Sequence, residues 1–92
     1  NTVIVTLGSE GVFCASGDRT IYVPAFDVDA IDTVGSGDAF NGGLAVAISE
    51  GLEIDEALHW GSAAGALSTT RSGAAGAMPD RAELTSLISS SR

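Results

Sequence analysis

The chain has 92 residues, a formal net charge of −8, and 45% hydrophobic residues. A chain of this size is one domain at most and buries only about 60–65% of its extended surface, so its stability alone is marginal. It has no lysine; its four cations, Arg19, Arg71, Arg81 and Arg92, are scattered, which excludes a phosphate-tracking basic stripe and so nucleic acid or an anionic membrane as partner.

Thr2 to Leu7 opens the chain as a β-branched run, with Val3, Val5 and Leu7 on one face and Ile4 on the other. Apolar residues on both faces predict a strand buried inside a sheet. Val12 to Ala15 and Thr20 to Val23 read as two short strands joined by the Ser16-Gly17-Asp18-Arg19 turn, with Pro24 ending the second. The stretch from Ala25 to Val34 reads as extended, its Asp27, Asp29 and Asp32 a solvated acidic series. A helix is predicted from Asp38 to about Glu50, with Phe40, Leu44, Ala47 and Ile48 at helical spacing. Gly42 and Gly43 weaken that helix by about 1 kcal/mol each, which makes sense where a second backbone packs close. A second helix from Asp55 to about Thr69 turns Leu58, Ala64 and Leu67 inward. After the loop 71–78, a third helix begins near Asp80, with Glu83 as its capping-box partner and Leu84, Leu87 and Ile88 on one face. His59 and Trp60 read as packing residues, and Cys14 as a small strand hydrophobe.

The order is strand, hairpin, helix, helix, helix, the expected last third of an α/β layered enzyme. The chain begins directly in an apolar strand without a start methionine. Residues 1–92 are therefore expected to be the C-terminal segment of a larger single domain whose N-terminal two-thirds is absent. A lone cysteine permits no internal disulfide and fits a reducing cytoplasm. No basic leader precedes the first strand, and no apolar run reaches the roughly 20 residues a membrane helix needs.

The chemistry concentrates in residues 32–43, "DTVGSGDAFNGG". A nucleophile elbow would need glycines at 34 and 38, where Val34 and Asp38 stand. A G-x-G-x-x-G fingerprint fails at Phe40, and a P-loop needs a lysine. What remains is a helix start made of Gly35, Ser36, Gly37 and Asp38. Free N–H groups at such a start carry partial positive charge and bind anions. A carboxylate on the same turn can take a proton from a hydroxyl beside that anion, the arrangement phosphoryl transfer requires.

This segment resembles the C-terminal signature of the PfkB carbohydrate kinases, the ribokinase-like family, written D-T-x-G-A-G-D. The resemblance implies the C-terminal portion of a three-layer αβα fold. It implies transfer of the γ-phosphoryl group of ATP to a primary hydroxyl of a sugar, most like ribokinase. Asp38 matches the catalytic base, and Gly35, Ser36 and Gly37 the anion hole. "TLGSEG", comprising Thr6, Leu7, Gly8, Ser9, Glu10 and Gly11, resembles the nucleotide-binding turn, and Ser62 lies near the position of an adenine contact. "TTRSGAAGAMP" is similar to the loop that holds a monovalent cation with Asp32. By that match Asp32, Val34, Ser68, Arg71, Gly73 and Ala77 surround potassium, and Mg²⁺ accompanies ATP. The family's N-x-x-E motif has no counterpart in the chain, where Asn1 and Asn41 are the only asparagines. Fructose, ketodeoxygluconate or nucleoside acceptors stay open within the family. A reading from another class is a non-catalytic fragment or nucleotide-binding module. Alone, such a chain is expected to expose apolar faces of its first strand and helices and to self-associate.

Overall fold

The computed structural model describes residues 2–28, 30, 35–70 and 79–90. Three strands, β1 (Thr2–Thr6), β2 (Val12–Ser16) and β3 (Arg19–Val23), form an antiparallel sheet in that order. The register pairs Ile4 with Cys14 and Cys14 with Ile21. The β2–β3 turn places Gly17 at φ 63° ahead of Asp18. Glycine at the first central position is what a hairpin turn of primed type demands.

The inner sheet face carries Ile4, Val12, Cys14, Ile21 and Val23, which pack with Phe40 and Leu58 of the helices. Full burial of Leu58 contributes about 1.5–3 kcal/mol. Cys14 is fully buried there as a free thiol, in the hydrophobe's role its place in the strand suggests. The outer face is open: Val3 (58% exposed), Val5, Phe13 and Tyr22 lie on the surface. Here the structure departs from the expectation of a strand buried on both sides. Among the described residues β1 pairs only with β2, so it forms a sheet edge, and no layer covers its outer face.

Three helices follow, α1 (Ser36–Ser49), α2 (Ile54–Ser68) and α3 (Arg81–Ser90). The first two begin one or two residues earlier than the periodicity indicated. α1 and α2 meet through small residues. Ala39, Gly43 and Ala47, spaced by four, form the buried stripe of α1. A Cβ on Gly43 would lie 2.7 Å from the Trp60 carbonyl oxygen, and one on Gly61 3.0 Å from the Phe40 carbonyl oxygen. The first is closer than a Cβ tolerates, and the second leaves room only if Phe40 shifts. The close backbone packing expected at Gly43 is therefore present. Because that stripe is narrow, Ile48 falls outside it and is exposed, contrary to the helical pattern that placed it inward. Trp60, Leu84 and Ile88 complete the helical core, so Trp60 is the packing residue it resembled.

α3 starts with the predicted capping box. The Glu83 N–H donates to Asp80 Oδ1 at 2.9 Å, and the Asp80 N–H donates to Glu83 Oε1 at 3.0 Å. Arg81 fastens this end to the other two helices. Its guanidinium forks onto both carboxylate oxygens of Glu50, with Nη1 2.7 Å from Oε1, and lies 5.4 Å over the Trp60 ring. Such partly exposed contacts contribute about 1 kcal/mol together. At the start of α2, a backbone N–H and then Arg19 hold the Asp55 carboxyl below its usual range. The charged pair, 3.1 Å apart, links β3 to α2.

Candidate active site

α1 begins at Gly35, whose left-handed backbone (φ 82°, ψ 0°) turns the chain into the helix. The first intrahelical bond runs from the Ala39 N–H to the Gly35 carbonyl at 2.9 Å. The earlier amides have no carbonyl partner in a helix, and among the described residues no side chain caps this terminus. They therefore present uncompensated donors and the positive end of the helix dipole. Gly37 is not required by internal packing, since a Cβ there would meet nothing within 4 Å. The space in front of the turn is open to a ligand. Asp38 stands on this turn as its one acidic residue and is exposed.

The second element is the turn after β1. Gly8–Glu10 forms one turn of 3-10 helix, closed by bonds from the Glu10 N–H to Leu7 O (3.1 Å) and from the Gly11 N–H to Gly8 O (3.2 Å). The Leu7 N–H donates back to Gly11 O at 2.7 Å. Gly8 and Gly11 both have positive φ, and Gly11 (φ 103°, ψ −154°) lies where essentially only glycine goes. The glycines of "TLGSEG" are thus fixed by backbone shape.

A cavity of about 490 Å³ joins the two elements. Thr6, Gly8 and Gly11 line it from the first turn, Ser36 and Gly37 from the start of α1, and Ser62 from α2. Six residues chosen from sequence thus meet around one hollow. Ser62 is buried. Leu7, Glu10, Gly35 and Asp38 do not line this cavity, and Ser9 contributes to the turn that frames it. A smaller hollow of about 240 Å³ lies between Ile4 of β1 and Asn41 and Leu44 of α1, and shares Thr6, Gly37 and Phe40 with the first. The start of α1 therefore borders two hollows.

Sequence reasoning missed several wall residues. Phe26 and Val28 close one side, and Gly65, Ala66 and Thr69 close another. The spacing Gly61, Gly65, Thr69 on one helix face was the available signal. At Gly65 a Cβ would lie 3.2 Å from the Ser36 carbonyl, so this glycine sets how closely α2 approaches the start of α1. No strand forms over 24–28; the segment crosses the cavity without regular structure.

Of the residues matched to a cation loop, Asp32, Val34, Arg71, Gly73 and Ala77 lie outside the described residues. Ser68 is fully buried at the end of α2, and its hydroxyl donates to the Gly65 carbonyl at 2.8 Å. The negative end of a helix dipole is a fitting place for a cation. No group of three or more His, Cys, Asp or Glu able to hold a metal occurs among the described residues. No described helix is long and apolar enough to cross a membrane.

A glycine-led helix start and a glycine turn facing one cavity, over a sheet backed by helices, define an α/β protein with its candidate site at the helix start. Residues 1–81 match the model of the pfkB family carbohydrate kinases, and the chain belongs to that family. It is 40% identical over 87 residues to the ribokinase of Bacillus subtilis, covering 95% of this chain and 30% of that protein. The crystal structure of a ribokinase from Thermotoga maritima superposes with a TM-score of 0.91 at 43% identity, covering 96% of this chain and 30% of the other. A double mutant of the Vibrio cholerae fructokinase, crystallised with fructose, ADP and a potassium ion, gives a TM-score of 0.87 at 36% identity, covering 95% and 30%. The chain thus spans about a third of the length of these relatives.

Proposed function

We propose that the full-length protein is an ATP-dependent sugar kinase, most like ribokinase, of which residues 1–92 form the C-terminal segment of a single domain. The observation that carries this reading is the shared cavity: the Thr6–Gly11 turn and the uncapped start of α1 face the same hollow. In this reading the turn and Ser62 hold the nucleotide. The amides around Gly35, Ser36 and Gly37 take up negative charge as the phosphoryl group moves, and Asp38 accepts the proton of the acceptor hydroxyl. One well-placed donor to developing charge is worth about 3–4 kcal/mol. Asp38 shares the first turn of α1 with Ser36 and Gly37, which line the cavity.

Mg²⁺ bound with ATP supplies the positive charge that a chain of net charge −8 lacks. Potassium is proposed to sit among Asp32, Val34, Ser68, Arg71, Gly73 and Ala77. The buried end of α2 at Ser68 supports an oxygen-lined site there, and the potassium-bound fructokinase relative supports the choice of ion. The lone buried thiol is consistent with a cytoplasmic location. The test is ATP-dependent phosphorylation by the full-length protein across ribose, fructose, ketodeoxygluconate and nucleosides. Turnover is expected with a sugar, ribose first; no turnover on any of them would refute the reading.

The 92-residue chain alone is proposed to lack turnover and to self-associate. The exposed Val3, Val5, Phe13, Val46 and Ile48 favour this, since an apolar edge strand offers unpaired backbone groups to a second copy. Sedimentation velocity is expected to show mass rising with concentration, and a Val5→Lys variant is expected to shift the chain toward monomer. A monomer at every concentration would speak against it.

A further inference from the structure

We propose that Tyr22 is a positioning residue for the nucleotide, acting through the Gly8–Glu10 turn. The inference rests on the reading of the larger cavity as the nucleotide site. Tyr22 lines neither hollow. Its ring stands on the outer sheet face opposite Phe13, and its hydroxyl donates to the backbone carbonyl of Glu10. That bond ties β3 to the far end of the turn whose near side, Gly8 and Gly11, faces the cavity.

The turn needs such a tie. A three-residue 3-10 helix has poor hydrogen-bond geometry and few bonds. It begins on one positive-φ glycine, Gly8, and is followed by another, Gly11, the residues with most backbone freedom to lose. A turn that fluctuates must be ordered each time nucleotide binds, and that ordering is subtracted from affinity. A Tyr22 hydroxyl anchored on β3 makes the order permanent. Because it acts only on the turn, it should affect nucleotide binding and leave proton removal from the acceptor untouched.

Tyr22→Phe removes the bond and keeps the ring against Phe13. Loss of one such hydrogen bond is expected to raise the KM for ATP in the full-length protein about threefold to tenfold, with kcat and the acceptor KM unchanged. In the same variant, the amides of Leu7 and Gly11 should exchange with deuterium faster, while those of the β2–β3 ladder keep their wild-type rates. An unchanged KM for ATP overturns the proposal. So does uniform acceleration across the sheet, which would mean that the hydroxyl supports the fold at large. A wild-type protein without ATP-dependent turnover removes the nucleotide reading and this proposal with it, an outcome distinct from a normal wild type beside an unaffected variant.

Discussion

Asp38→Asn in the full-length protein is expected to lower kcat by about 10²–10⁴-fold, the usual worth of a positioned general base. The substitution keeps the size and planar shape of the side chain and removes the carboxylate proposed to accept the proton. The fold should tolerate it, because Asp38 is exposed. The expected stability loss is that of one acidic residue in a first helical turn, about 0.3–1 kcal/mol. The KM for ATP should stay near its wild-type value, since Gly8, Gly11, Ser36, Gly37 and Ser62 line the cavity and Asp38 does not. Steady-state kinetics at saturating ATP, with circular dichroism melts of both proteins, separate these effects. A variant that turns over at the wild-type rate would remove Asp38 from the role of base and leave the amides as the site's only assigned chemistry.

The parts of this site that depend on backbone shape were readable from sequence. Glycine at 11, 17 and 35 marks positive φ in each case, and the Asp80–Glu83 box marks a helix start, because both signals act within a few residues. The helices themselves followed from periodicity. What periodicity cannot report is which neighbour a face meets. Ile48 fits the spacing of an inward residue yet is exposed, because α1 meets α2 along Ala39, Gly43 and Ala47. The apolar alternation of β1 implied two covered faces, and only the inner one is covered among the described residues. The cavity walls at Phe26 and Val28 were illegible for the same reason: they arise where segments distant in the chain approach one another.

Gly11→Ala is expected to cost more stability than any other single methyl addition at the glycines lining the cavity. Two independent penalties meet at this residue. Its backbone, at φ 103° and ψ −154°, lies in a region essentially reserved for glycine, and holding another residue there costs about 1–3 kcal/mol. The added Cβ would also lie 2.3 Å from the Val23 carbonyl oxygen and 3.1 Å from the Ala25 nitrogen. Both are backbone atoms and cannot swing aside as a side-chain tip would, so relief requires moving the end of β3; overpacking of this kind costs about 1–3 kcal/mol more. Against a total of about 0.05–0.15 kcal/mol per residue for a folded domain, that sum removes a large share of the stability. It also displaces the entry to residues 24–28, one wall of the cavity, so nucleotide affinity should fall with it. Gly8→Ala is the matched control. Gly8 has φ 60° in the ordinary left-handed region, and a Cβ there meets nothing within 4 Å, so only the left-handed penalty of about 1–2 kcal/mol applies. Urea denaturation of the two variants should therefore give a clearly larger loss for Gly11→Ala. Equal losses would mean that the turn can move away from Val23 at little cost, and that backbone crowding does not hold the glycine turn against β3.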